Sequence, residues 1–403
     1  MYNRGLMYVD LIPSNSFMCP KIYKNISKNF VTIFNVYFEG YVKKRYYEGC
    51  NNIDQIEFEY INNVKKLFGF YYANIQPLSG YIANVSIYNA VRKYLKLKTI
   101  NILSLDVNHG GHISHDIKSN KEHYNFIHYT YNPESDNINY DEINSILKTS
   151  NIHLVVTGYS AGSYIINFDL INKMCKKFNA LHLADISHIS GLICAKLYPF
   201  NANDCDICMT TTHKSLRGYK GAIIFSNRHD ISKAIDRSLF PNTQAGASYQ
   251  SLLYNSYIAK HYWGSEEFND YMKKVLYIKD IFVNKIQKKY KIIGLNHNNH
   301  MLLIDFYEYN INSQIIAKNL YRANIVTNYN TTYKDSSFNE STGLRIGFVN
   351  LASYNYPDTL IEELIDNILN IINDTINDVF EDKVQHYIDI TKKFLDFQST
   401  LFN

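Results

Sequence analysis

The chain has 403 residues, 46% of them hydrophobic, enough for one large α/β domain and a smaller one. Its formal net charge of +4 is small for that length, so a nucleic-acid-binding reading has only a mild basic excess behind it. No run approaches the about 20 apolar residues of a membrane span, and residues 1–9 carry one arginine and no apolar core of signal-peptide length. A soluble, intracellular protein is expected, with cytoplasm and mitochondrion not distinguished. The six cysteines are too scattered for a disulfide framework. Cys205-Asp206-Ile207-Cys208 is a lone CxxC that leads into a strand. Without a second pair or histidines at ligand spacing it reads as two small strand residues, and no metal site is expected.

In chain order, residues 73–77 form a short extended segment, followed by a turn at Leu78-Ser79-Gly80. A helix follows, with Ile82, Val85, Tyr88, Ala90, Val91 and Tyr94 near helical spacing. Residues 100–107 read as a strand ending in Asn108-His109-Gly110-Gly111-His112. Then come a strand over 153–157, a helix over 168–178 and strands over 180–184, 206–211 and 222–225. This alternation predicts an α/β fold: a mostly parallel sheet with helices on both faces. Beyond about residue 265 the texture changes. The lysine-rich stretch 273–291 reads as a solvated helix face, and 300–305 as a strand. Pro357 opens a helix with Asp358, Glu362 and Glu363 in its first turns, where the helix dipole favours acids. Its stripe of Leu360, Ile361, Leu364, Ile365, Ile368 and Ile372 has core spacing. The expected organisation is an N-terminal arm over 1–30, a large α/β domain over 31–264 and a smaller α+β domain over 265–403.

The chemistry concentrates at strand ends. Thr210-Thr211-Thr212-His213-Lys214 places one lysine just past an apolar strand, and the stretch begins 22 residues after His188 of Ala184-Asp185-Ile186-Ser187-His188. In open α/β sheets that edge is where ligands bind. A partly desolvated lysine there can lose its proton and form a Schiff base with a carbonyl. Ser79-Gly80 ahead of a helix suits a phosphate, because helix N-terminal amides favour an anion.

These motifs, in this order, resemble the serine hydroxymethyltransferase family, pyridoxal-phosphate enzymes of the aspartate-aminotransferase fold, fold type I. The likeness runs from about Leu11 to Gly347. It implies that Lys214 carries pyridoxal 5'-phosphate as a Schiff base and that Asp185 pairs with the pyridine nitrogen. It places His112 on one ring face and His188 near the ring's phenolic oxygen. Ser79, Gly80, Ser160 and His213 fall at the phosphate. Gln244 and Gly246 match a loop that reaches the phosphate from the neighbouring subunit. Arg345, in Ser341-Thr342-Gly343-Leu344-Arg345-Ile346-Gly347, matches the arginine that grips the amino-acid carboxylate, for which a planar fork is suited. Ser14 and Asn330 fall at substrate and pterin contacts. Tyr37-Phe38-Glu39-Gly40-Tyr41 and Arg45-Tyr46-Tyr47 match the segment carrying the catalytic glutamate. There Glu39 and Tyr47 join Lys214 and His112 as catalytic groups, Tyr37 lies by the cofactor and Tyr46 by substrate and folate.

The activity so implied is that of a glycine hydroxymethyltransferase. It interconverts serine and glycine and passes the one-carbon unit to tetrahydrofolate, in a homodimer with its site built across the interface. Two alternatives stand beside it: a folate-independent aldolase of 3-hydroxy amino acids, and a catalytically degenerate paralogue that serves as partner subunit of an active homologue. The chain departs from the family pattern at Tyr81, where a small hydroxyl residue is usual. It also departs at Lys220, in place of an arginine, and at Val42-Lys43, in place of Pro-Gly.

Overall fold

The computed structural model describes residues 7–19, 22, 24–26, 37–295 and 298–400. Much of the expected arm over 1–30 therefore lies outside the described residues. The main sheet contains β1 Tyr72–Asn74, β2 Ile100–Leu105, β3 Tyr124–Tyr129, β4 Leu154–Thr157, β5 Leu181–Asp185, β6 Ile207–Thr211 and β7 Ala222–Ser226. Their spatial order is β1-β7-β6-β5-β4-β2-β3. The β2–β3, β2–β4, β4–β5 and β5–β6 pairs are parallel. Strand β7 runs antiparallel to both β6 and β1. This is the mostly parallel sheet that the alternation of strands and helices predicts.

Side-chain alternation explains why these strands read as continuous apolar runs. Leu154, Val156, Leu183, Ile207 and Met209 enter one core. Val155, Ala184, Cys208, Ile223 and Phe225 enter the other. Both faces of the sheet are covered, so neither set is polar. Full burial of each large aliphatic side chain contributes about 1.5–3 kcal/mol. Cys205 and Cys208 are both buried and unbridged; Cys208 lies in β6, whereas Cys205 stands two positions ahead of that strand, so only one of the pair is a strand residue.

Helix α1 Asn51–Phe68 precedes the sheet, and α2 Gly80–Tyr94 follows β1. Ser79 caps α2 by accepting the Ile82 N–H at 3.3 Å, satisfying one of the free amides of the first turn. Gly80 is needed at the next position: a Cβ there would lie 2.8 Å from Thr211 Cγ2. After β2 the chain turns at Gly110, whose φ of +98 and closeness to the Ala161 carbonyl exclude a side chain. That turn delivers His112 to the C-terminal edge of the sheet.

The C-terminal part builds a second sheet from β8 Lys291–Ile293, β9 Met301–Asp305, β10 Asn328–Asn330 and β11 Gly343–Gly347. It is antiparallel throughout, in the order β8-β9-β11-β10. Val9–Asp10 near the N-terminus pairs in parallel with Ile325–Val326. Helix α3 Glu266–Ile286 packs beside α4 Asp358–Ile376, which buries the predicted stripe, including Ile361, Leu364, Ile365 and Ile368. One part of the lysine-rich reading is corrected here. Lys279 is buried on the inner face of α3, where its stem packs and its amine reaches out to exposed Asp280 at 2.6 Å. Lys274 is also engaged, donating to the Tyr354 carbonyl at 2.7 Å. The face is therefore not simply solvated.

Candidate active site

The C-terminal ends of β2, β5 and β6 and the N-terminus of α2 converge on a cavity of about 250 Å³. Its walls include Ser79, Gly80, His112, Asp185, His188 and Lys214, with His213, Tyr81 and Lys220 also facing it. Seven of the residues expected at the cofactor are thus brought together from segments more than 130 positions apart (Ser79, Gly80, His112, Asp185, His188, His213 and Lys214).

Lys214 is 8% exposed. Its pKa falls from 10.5 to about 8, because burial opposes the charged form and Arg345 repels it, while Asp185 partly offsets both. The amine is thus far nearer neutrality at physiological pH than a surface lysine. The linkage runs with the sign of a depressed lysine. Stability gains from deprotonation as pH rises between about 8 and 10.5 and is reduced below that window. Only a neutral amine attacks a carbonyl. The rate at which cofactor-free protein captures an aldehyde should therefore rise about tenfold per pH unit below about 8 and flatten above it. Stopped-flow growth of the visible band on adding pyridoxal phosphate measures this, and a flat profile between pH 6 and about 8 would contradict it.

Asp185 lines the cavity with the lysine. Burial pushes its carboxyl up, but His115, Lys214 and the Ser187 side chain outweigh burial and hold it well below the usual carboxylate range. Its Oδ1 accepts from Ser187 N at 3.1 Å, and its Oδ2 lies 3.2 Å from His115 Nε2 and 3.3 Å from Asn84 Nδ2. His112 is held through Nδ1, which accepts from Ser114 N at 3.2 Å and lies 2.7 Å from Ser114 Oγ. A backbone N–H only donates, so the proton of neutral His112 resides on Nε2. Burial and Lys214 lower the His112 pKa to about 4. Burial and the same lysine hold His188 well below its ordinary value, and His213 falls to about 4. All three rings are neutral at physiological pH, so the cavity does not stack cation upon cation.

Arg345, on β11 of the small sheet, is 8% exposed and does not line the cavity, but lies close enough to act on the charge of Lys214. Its Nε donates to Asn328 Oδ1 at 3.1 Å and its Nη1 to the Ser160 carbonyl. Burial lowers its pKa to about 10, which leaves it charged. Among the described residues no carboxylate pairs with it. Ser160 is therefore present at this edge through its carbonyl. Asn330 lies on the neighbouring strand, where its Oδ1 accepts from Asn328 Nδ2 at 3.2 Å. Ser14 is half-buried, one position past Pro13, which packs on Gly347.

A second group of expected residues stays out of this cavity. Tyr37 and Tyr46 are 71% and 76% exposed, and Tyr47 is 48% exposed. Glu39 packs on Gly246, where a Cβ would stand 3.2 Å from Glu39 Oε1, and its Oε2 is buried without a partner among the described residues. Gln244 braces the turn before Ser79, accepting from Leu78 N at 3.1 Å and donating to the Gln76 carbonyl at 2.9 Å.

Sequence reasoning missed His115, Asn84 and His300. His300 Nε2 approaches His188 Nδ1 at 3.5 Å across 112 positions. The HxxH spacing of His112 and His115 was the available signal for His115.

The residues present fit pyridoxal phosphate. Gly80 leaves a cradle at the helix terminus, and the buried Thr211 Oγ1, His213 Nδ1 and Asn84 Oδ1 around the cavity lack partners among the described residues. A lysine whose pKa is lowered to about 8 and an ionised aspartate line the same small cavity. Fold and site together define a fold-type I pyridoxal-phosphate enzyme, a transferase-bearing class of α/β proteins. The model of the family described as serine hydroxymethyltransferase matches residues 2–368. A serine hydroxymethyltransferase of Aster yellows witches'-broom phytoplasma is 37% identical over 321 residues, 78% of this chain and 73% of that one. That of Metamycoplasma arthritidis is 32% identical over 366 residues, 89% and 85% of the two chains. A probable serine hydroxymethyltransferase of Mesomycoplasma hyopneumoniae is 35% identical over 369 residues, 89% and 85%. The chain belongs to the serine hydroxymethyltransferase family, enzymes that interconvert serine and glycine. The family match does not favour the aldolase or the degenerate-paralogue reading. Among the described residues no helix is long and apolar enough to cross a membrane.

Proposed function

We propose that this chain holds pyridoxal phosphate in the Lys214 cavity and uses it to interconvert serine and glycine, with tetrahydrofolate taking the one-carbon unit. The observation that carries the reading is Arg345: a buried guanidinium with no acidic partner among the described residues, near enough to Lys214 to depress its pKa. A buried, unpaired charge is costly. An amino-acid carboxylate relieves that cost.

The cofactor supplies an electron sink for bonds to the amino-acid α-carbon. The chain's residues then divide the work. The α2 N-terminus with Ser79 and Gly80, and His213 beside it, binds the phosphate. Asp185 would hold the proton of the ring nitrogen, and His112 would help to hold the ring. Lys214 gives up its proton and later accepts one. Arg345 fixes the substrate carboxylate, with Ser14 and Asn330 on the substrate side. Glu39 handles the hydroxyl proton of serine as the hydroxymethyl group leaves.

Glu39, Tyr37, Tyr46, Tyr47, Gln244 and Gly246 lie outside the Lys214 cavity of their own chain. We assign them to the site of a second copy in a homodimer, which leaves a 31–264 cofactor domain and a 265–403 small domain each contributing to a composite site. The direct test is to incubate the purified chain with pyridoxal phosphate, serine and tetrahydrofolate and to follow glycine. Absence of folate-dependent glycine, with a normal visible band, would refute the transferase reading.

Tyr81 stands 42% exposed at the cavity rim, next to Gly80. Tyr81→Thr restores a short hydroxyl at the phosphate position. One hydrogen bond to a charged group is worth about 1.5–3 kcal/mol. Pyridoxal phosphate should then bind about tenfold or more tightly, measured by titration of the visible band.

A further inference from the structure

Outside the Lys214 cavity lies a buried charge cluster centred on Arg45, whose side chain is 3% exposed. Its Nε donates to Asp54 Oδ1 at 2.8 Å and its Nη2 to Glu57, which is itself 1% exposed. Its Nη1 donates to two backbone carbonyls, Phe38 O at 2.9 Å and Gly40 O at 2.7 Å. These are the carbonyls on either side of Glu39. The Glu39 carbonyl is held separately by Tyr46 N at 3.0 Å. Gln76 completes the frame, donating to Gly40 O at 3.0 Å and to Glu57 Oε1 at 2.7 Å. Gly40 has a φ of +103, and a Cβ there would lie 2.2 Å from the Lys44 carbonyl, so the hairpin closes tightly after Glu39. The guanidinium also lies 5.4 Å from the Phe38 ring centroid.

We propose that Arg45 is the positioning residue for Glu39: Glu57 and Asp54 fix its guanidinium, and it fixes the peptide on both sides of the glutamate. With the Tyr46 amide on the Glu39 carbonyl, every main-chain carbonyl from Phe38 to Gly40 is bonded, and the Glu39 side chain is left directed toward Gly246 with one oxygen uncommitted among the described residues. Only a planar fork makes these contacts at once; an ammonium has one nitrogen to share among the two carboxylates and two carbonyls. The proposal rests on the role given to Glu39 above.

The test uses the full-length enzyme loaded with pyridoxal phosphate and a double-mutant cycle. Arg45→Lys should lower kcat for folate-dependent serine conversion about tenfold or more, with the visible band and the KM for serine unchanged. Glycine α-proton exchange with solvent, which involves no hydroxymethyl group, should be retained. Because Arg45 acts through Glu39, Glu39→Gln with Arg45→Lys should be no slower than Glu39→Gln alone, within about twofold. Before cofactor is added, amide exchange at Tyr46 should be about tenfold faster in Arg45→Lys than in the parent. If Arg45→Lys does not fold, Asp54→Asn loosens the same clamp from its exposed side and should shift the same readouts in the same direction. Multiplicative losses in the double variant, or equal loss of proton exchange and serine conversion, would overturn the proposal. Loss of the visible band in the parent would instead refute the cofactor reading.

Discussion

Lys214→Ala should abolish the visible band formed with pyridoxal phosphate and lower serine–glycine interconversion by about a thousandfold or more. Lys214 follows β6, is buried, and lines a cavity of about 250 Å³ together with an ionised Asp185. Burial brings its pKa to about 8, the range in which an amine is both available as a nucleophile and able to return a proton. The other described lysine lining the cavity is Lys220, six positions further along the chain. It should not restore the band. The fold should survive the change, because a lysine with a depressed pKa contributes an unfavourable charge near neutral pH. Thermal unfolding of the cofactor-free variant should be equal to that of the parent or higher. A retained band in Lys214→Ala would move the Schiff base elsewhere and refute the assignment.

How much of this was legible beforehand depended on how local the signal was. Strands β2, β4, β5, β6 and β7 were readable because both sheet faces are buried, so apolar residues such as Leu154, Val155 and Val156 dominate them on both faces. Edge strand β3 was not, since Tyr124-Asn125-Phe126-Ile127-His128-Tyr129 mixes exposed and buried positions without clean alternation. The lysine, aspartate and histidine of the cavity sat in short motifs at strand ends, where spacing alone raises suspicion. His300 reaches His188 from β9's threshold, and nothing in its neighbours announces that. Glu57 reads as one more acid on a charged helix; only the fold turns it inward to Arg45. Lys279 failed for the converse reason: a lysine in a lysine-rich run reads as solvated, and only the fold turns its side chain inward, paired with exposed Asp280. The family resemblance placed Glu39 and Gly246 in the active site, and the fold of one chain puts them together but away from Lys214. That separation is what a composite site between two copies requires.

Arg345→Lys should raise the KM for serine and for glycine about tenfold to a hundredfold, while the visible band with pyridoxal phosphate is kept. The guanidinium is anchored by Asn328 Oδ1 on one side and the Ser160 carbonyl on another, which fixes the plane of the fork. A carboxylate arriving in that plane meets donors already desolvated and oriented, so binding it costs little reorganisation. Lysine keeps the charge and loses the plane. Its single nitrogen cannot hold Ser160 O, Asn328 and a substrate carboxylate at once. Uniform loss of substrate and transition-state binding predicts a change in KM larger than that in kcat. Lys214 offers an internal check. Arg345 contributes to its depressed pKa, so replacing the arginine by a neutral residue, as in Arg345→Leu, should move the pH profile of aldehyde capture upward from about 8. Arg345→Lys, which retains the charge, should leave that profile in place. A KM unchanged in Arg345→Lys would mean that the substrate carboxylate is held elsewhere, and the buried, unpaired guanidinium would need another anion.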